Sequence, residues 1–263
     1  MTPELASALL AITGQSQEWL LAGFFIFLRV GAAVAVLPVF GDQAVPQRVR
    51  LGAALAFTLV LLPLAEADLA PLVAAGRIVT PAVATEVIAG LLLGLALRLF
   101  VMVLQIAGTI AAQSTSLAQF FGGAGVDPQP AIAQVFLIGG VALAVMSGLH
   151  VRLAEAFLLS YQMLPPGRFP LPGVVSEWGV MQVARAFSLA FILSAPFVIA
   201  ALVYNLALGA INKAMPQLMV AFVGAPALTL GGLLLLLVVT PVLLSIWHEA
   251  FQNFLGDPFG AAR

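Results

Sequence analysis

From Trp19 to Phe40 the chain runs for 22 residues with a single charge, Arg29. About 20 apolar residues in a helix cross the ~30 Å hydrocarbon core of a bilayer, so this run has the length of one membrane span. Comparable runs follow at residues 83–112, 131–149 with a helical extension to 163, 183–211, and 218–247. The last is interrupted at Gly224-Ala225-Pro226, and a shorter run covers 51–65, closed by Pro63 and the acids Glu66 and Asp68. Proline and acidic residues end apolar helices, which makes this second run too short for a full crossing. The pattern predicts an all-α integral membrane protein of about six hydrophobic helices packed as hairpins, with residues 1–263 forming one membrane domain and no soluble domain.

Composition explains why no soluble fold competes. Hydrophobic residues make up 62% of the chain and charged residues 8%, where an ordinary soluble domain carries about 25% charged residues. Such a chain cannot cover a large core with a solvated surface. A formal net charge of −1 provides no basic face for nucleic acid, and the absence of cysteine excludes disulfides, thiolate zinc sites and cysteine-bound iron–sulfur clusters. No basic stretch precedes the first apolar run, so that run is read as retained rather than cleaved. Lys and Arg do not choose an orientation. With six crossings, Arg48, Arg50 and Lys213 fall on one side and Arg77, Arg152, Arg168 and Arg263 on the other.

The arginines inside apolar runs carry more information. Arg29 lies near the middle of the first run, Arg98 within the third and Arg185 near the start of the fifth. An arginine at a bilayer centre costs at least ~2.5 kcal/mol, so these side chains should face other helices, pair with acids such as Glu86 or Glu155, or reach the interface. Gly90 and Gly94 form a small-xxx-small step, and Gly108, Gly139-Gly140 and Gly231-Gly232 interrupt other helices, which favours close helix contacts. His150 and His248, each near a glutamate (Glu155 and Glu249), end apolar runs as interfacial residues do, and neither sits in a metalloprotease spacing. No catalytic constellation, metal site or cofactor motif is present, so the chain is not read as an enzyme.

Two connectors stand out. Pro165 to Gly173 is too rich in proline for a helix and reads as an extended connector. Residues 113–128 place Gln119, Phe120 and Phe121 beside Gly122, Gly123 and Gly125, between two apolar helices. Irregular backbone at membrane depth has to be buried in protein or line a cavity, so an ordinary polar loop and a plug are both open readings.

Phe27-Leu28-Arg29-Val30-Gly31, Leu37-Pro38-Val39-Phe40-Gly41 and Val45-Pro46-Gln47-Arg48-Val49-Arg50 together resemble the FliR/SctT family of type III export-gate subunits. A second matching stretch is Met215-Pro216-Gln217-Leu218-Met219-Val220-Ala221-Phe222-Val223-Gly224-Ala225-Pro226. The resemblance extends over nearly the whole chain and its wording is nearer the flagellar branch. It implies a subunit of the bacterial inner membrane and flagellar basal body that assembles with FliP-like and FliQ-like subunits, contacted by an FlhB-like one. Unfolded flagellar proteins would pass through the assembled pore, and the subunit would hold no catalytic residues and no cofactor. It further implies that the loop with Gln119, Phe120, Phe121, Gly122, Gly123 and Gly125 closes the gate. Arg29 and Arg50 would then hold helix geometry and Pro38, Pro46, Pro216 and Pro226 would set the helix breaks, with Glu86, Arg98, Gln217 and Gly224 as further structural or assembly residues. An injectisome subunit for effector secretion is the nearest alternative, and a small-molecule membrane carrier is the alternative from another class.

Overall fold

A computed structural model describes residues 3–37, 45–73, 80–115, 130–215 and 220–260. Within them the chain forms seven helices: α1 (Pro3–Val36), α2 (Gln47–Val73), α3 (Thr80–Thr115), α4 (Ala131–Met146), α5 (Leu149–Met163), α6 (Pro172–Ala214) and α7 (Val220–Gly256). No strand occurs among the described residues. Five helices are long and apolar enough to cross a membrane, or six if α4 and α5 are counted as one broken span. The expected all-α membrane architecture is what the chain adopts.

Helix boundaries depart from the sequence reading in three places, each with a local cause. The run ending at 65 continues to Val73, past Pro63, Glu66, Asp68 and Pro71. Its inner stripe, Ala54, Thr58, Leu61, Ala65, Leu69 and Val73, is buried at three- and four-residue spacing, while Pro63, Glu66 and Asp68 all point outward. Packing of one face therefore outweighs the single backbone hydrogen bond that each proline removes. The connector from Pro165 is extended only as far as Leu171, because Pro172 opens α6. Proline suits a first helical turn, where its missing N–H has no partner to lose. The expected interruption at Gly224-Ala225-Pro226 is absent: α7 passes through Pro226 and Pro241. Pro226 lies in the second turn, so it costs one interior bond near an end and not the helix.

Other expectations hold. The carbonyl of Pro46 accepts the first backbone bonds of α2, from the N–H groups of Val49 (2.9 Å) and Arg50 (3.4 Å). The fourth run does reach Met163, but in two pieces separated at Ser147–Gly148, where Gly148 has a φ of 81°. That left-handed conformation is strained for any residue with a Cβ and ends α4. Pro38, Pro216 and Gln217, expected at helix breaks, lie outside the described residues.

The chain separates into two compact units. The first comprises residues 1–99, 150–182 and 253–263 and the second 100–149 and 183–252. In the first, α2 lies along α1, and α3 approaches α1 until backbones touch. A Cβ at Gly90 would overlap the carbonyl oxygen of Arg29 and come within 3.0 Å of Ala32 Cβ; one at Gly94 would lie 2.7 Å from the carbonyl oxygen of Ala33. The anticipated small-residue contact is thus real, and it is between α1 and α3. The ring of Phe57 on α2 meets that of Phe157 on α5 at 5.9 Å.

The second unit uses the same device with more aromatic filling. Gly108 of α3 sits against the backbone of Ala133, and Gly140 against Leu104. Trp247 of α7 donates its indole N–H to the carbonyl of Phe100 at 2.8 Å and stacks on Phe251 at 5.1 Å. Tyr204 of α6 hydrogen-bonds the carbonyl of Gly224, whose lack of a side chain leaves room for the phenol. Burial is uneven: in the most apolar 18-residue stretch, 44% of the residues of α3 are buried against 17% of those of α7. Leu230, Leu233, Leu234, Leu237 and Val238 therefore lie on an exposed apolar face of α7.

Gly90→Val should prevent α1 and α3 from closing and cost the chain its folded state in detergent, seen as loss of a monodisperse peak in size-exclusion chromatography. Gly52→Ala, on α2 with open space around it, should leave that peak unchanged and raise the unfolding midpoint slightly.

Candidate functional site

The densest polar chemistry in the first unit is built around one side chain. Arg29, two turns before the end of α1, is 1% exposed and Glu86, in the second turn of α3, is fully buried. Arg29 Nε donates to Glu86 Oε2 at 2.8 Å and Nη2 to Glu86 Oε1 at 3.1 Å, a two-pronged pair that fixes the plane of both groups. Nη1 donates to Ser160 Oγ at 3.0 Å and Nη2 to the carbonyl oxygen of Leu164 at 2.8 Å. The guanidinium carbon lies 3.8 Å from the ring centre of Tyr161. Every one of these partners belongs to α3 or to the C-terminal end of α5.

The geometry follows from helix spacing. Glu86, Gly90 and Gly94 are four residues apart and share one face of α3, as Arg29 and Ala33 share one face of α1. The ion pair and the glycine contacts therefore form one seam, in which missing Cβ atoms bring the backbones close and the charges bridge one end. Ser160 Oγ, while accepting from Arg29, donates to the carbonyl of Phe157 at 2.6 Å. Leu164 follows the last turn of α5, where carbonyls lack helical partners and the helix dipole is negative, so a cation there satisfies both.

The network continues into the connector. Thr85, next to Glu86, accepts the backbone N–H of Gly167 at 3.2 Å through Oγ1 and donates to the carbonyl of Ala82 at 2.8 Å. Gly167 has a φ of 72°, and a Cβ there would run into the side chain of Leu72. Arg29 and Thr85 thus hold the end of α5 and the turn after it against α1 and α3. Taking two charges out of water costs several kcal/mol each, which the two-pronged geometry, two further acceptors (Ser160 Oγ and the Leu164 carbonyl) and the Tyr161 ring offset. The arrangement can hold helices in register; it places no nucleophile beside a base.

Of the residues singled out from sequence, the structure brings Arg29 and Glu86 together. Arg98 and Arg185 do not join them. Arg98 lies on the outer face of α3 with Leu95 and Met102, three and four residues away, and Arg185 is exposed on α6. Arg50 is half-buried near the start of α2. Glu155 pairs with Arg152 at 3.0 Å, and both are about half-exposed, where such a pair adds little to stability. His150 is exposed and His248 half-buried, and no group of three or more metal-binding side chains occurs among the described residues. Gln119, Phe120, Phe121, Gly122, Gly123 and Gly125 lie outside the described residues. Sequence reasoning missed Thr85, Ser160, Tyr161 and Gly167. The available signal was a Ser-Tyr pair within the apolar stretch that leads to the proline connector.

Comparison with known proteins agrees with this architecture. The family model of the bacterial export proteins, family 1, matches residues 20–254. The chain belongs to that family. It is 34% identical over 232 residues to the flagellar biosynthetic protein FliR of Caulobacter vibrioides, covering 88% of this chain and 92% of the relative. It is 26% identical to the protein of that name from Escherichia coli K12, covering 91% and 93%, and 26% identical to that of Bacillus subtilis, covering 88% and 90%. The family match covers α2 to α6, the second half of α1 and nearly all of α7, so both units fall within the matched region. With five or six apolar helices of spanning length, this member is a multi-pass membrane protein.

Glu86→Gln should strand the buried guanidinium and lower stability by ~3–5 kcal/mol, whereas the double substitution Arg29→Met with Glu86→Met should recover much of that loss. Denaturation in mixed detergent, read as a double-mutant cycle, decides the matter. Single-variant losses below about 1 kcal/mol would show that the pair does not hold the helices.

Proposed function

We propose that this chain is a core subunit of the bacterial flagellar protein-export gate. The observation that carries the reading is a match along about nine-tenths of the chain to proteins named as flagellar biosynthetic. Those names favour the flagellar over the injectisome assignment. A carrier for small molecules has no comparable support.

In this role the chain is a scaffold. Its residues hold helices in position while other proteins pass, and none of them makes or breaks a covalent bond. FliP-like and FliQ-like subunits, with an FlhB-like one at the periphery, would cover the apolar faces that α6 and α7 leave exposed, and the assembly would sit in the inner membrane at the basal body. Lipid would meet what the sister subunits leave bare. Support for partners comes from Leu202, Val203 and Leu206 on α6 and Leu233, Leu234 and Leu237 on α7, all more than half exposed.

The loop after α3 is proposed as the element that closes the gate at rest. Its supports are the aromatic and glycine-rich sequence and the setting of its two flanks. Thr115, which ends α3, and Pro130, which precedes α4, line one cleft of about 310 Å³ together with Thr229 and Gly232 of α7. A loop rooted there leaves and re-enters the structure at a single polar-edged cleft.

Removing the chain from a flagellated host should abolish motility, and a plasmid copy should restore it. Motility that survives the deletion would overturn the assignment. In cells carrying a copy without residues 117–125, the assembled gate should leak small ions, so membrane conductance should rise while co-purification with its sister subunits persists. A conductance equal to that of the intact chain would sink the closing-loop assignment and leave the export reading untouched.

A further inference from the structure

The connector that Arg29 and Thr85 hold in place forms one wall of a groove that the export reading does not use. Its cavity of about 330 Å³ lies in the first unit, between the connector, the first turns of α6, the first half of α3 and the turn that follows α7. Leu92, Leu171, Val174, Trp178 and Phe259 line it, and Arg168 stands among them. The far wall is fixed as firmly as the near one: Trp178 donates its indole N–H to the carbonyl of Pro258 at 3.1 Å, and its ring meets Phe259 at 5.3 Å. The groove is thus a built feature with two anchored sides.

Three observations narrow what it takes. First, it opens beside apolar helices of spanning length, at the start of α6 and just past the end of α7, so acyl chains can reach it from the side. Second, Arg168 is exposed and makes no ion pair among the described residues, so the mouth of an otherwise apolar trough carries one positive charge. Third, a volume of about 330 Å³ lies at the low end of the ~300–1,000 Å³ of sites for single small molecules, enough for part of one chain-like ligand, and such a trough cannot by itself supply the ~800 Å² per partner that a stable protein interface buries. Phe169 and Leu171, 58% and 72% exposed beside Arg168, extend the apolar surface outward from the mouth.

We propose that this groove binds one anionic phospholipid, with the phosphate on the Arg168 guanidinium and an acyl chain lying along Leu92, Leu171 and Val174 against Trp178 and Phe259. The lipid would complete the surface of the first unit where the proline connector leaves it open. It would also make the headgroup composition of the bilayer a determinant of how this end of the chain is held. Arg168 contributes selectivity for charge, and the trough contributes affinity for any acyl chain.

The test uses the full chain purified in detergent and offered phosphatidylglycerol and phosphatidylethanolamine at equal mole fraction, with bound lipid counted by native mass spectrometry. The intact chain should retain phosphatidylglycerol in about fivefold preference, the size expected of one basic contact near a headgroup, and the preference should shrink as salt is raised. Arg168→Gln should abolish the preference and Arg168→Lys should keep most of it. Val174→Trp, which fills the trough, should lower retention of both lipids. Unfolding midpoints recorded alongside separate lost binding from lost fold; the preference of the intact chain and its salt dependence stand without any variant. Equal retention of the two lipids by the intact chain, or an unchanged preference in Arg168→Gln, would overturn the proposal. So would protection of Phe169 from hydrogen exchange in the assembled apparatus that persists after complete delipidation, since a protein partner would then cover the site.

Discussion

A guanidinium buried within an apolar helix cannot be left without a counter-charge, and Arg29 is matched on every side. Glu86 takes two of its N–H groups, Ser160 and the end of α5 take others, and Tyr161 covers its face. Because these partners come from α3 and α5, the demand of one charge brings three helices to one point. The rest of the first unit follows. Gly90 and Gly94 continue the seam that the charges begin, and the turn after α5 is tied down through Thr85, the neighbour of Glu86.

In lipid, apolar side chains gain little by turning from acyl chains to one another, so helix pairing has to rest on close backbone approach and on polar contacts. Both units show the two devices. The first joins a glycine seam to a buried ion pair. The second sets Gly108 on Ala133 and Gly140 on Leu104, then secures α7 with the indole N–H of Trp247 and the phenol of Tyr204. Outward faces carry leucine and valine without such devices. That division suits a subunit whose own helices must keep their register while the outer surface meets sister chains and lipid.

Much of this was legible from sequence for a physical reason: long apolar runs have only one way to satisfy their backbone in a bilayer. Arg29 and Glu86 were legible as well, since a charge inside a span implies a partner. Arg98 shows the limit of that argument. It occupies an equally apolar run, yet it falls on the face that also exposes Leu95 and Met102, and sequence cannot tell an inner from an outer face when both are apolar. Helix ends depart from the sequence expectation at Pro63, Pro172 and Pro226, where proline does not act as a stop. Its effect depends on whether its missing N–H falls on an outward face, in a first turn or near an end.

The sequence by itself determined that the chain is helical, that it spans a membrane several times and that it resembles export-gate subunits. Those properties follow from local composition and from motifs read along the chain. Tertiary structure alone decided which glycines meet which backbone, that Ser160, Tyr161 and Leu164 complete the shell of Arg29, and that residues as distant as Leu92, Arg168 and Phe259 share one groove. Such groupings depend on how helices are rotated and stacked. A composition so uniformly apolar leaves that rotation to be set by a few polar and small residues once the helices have met.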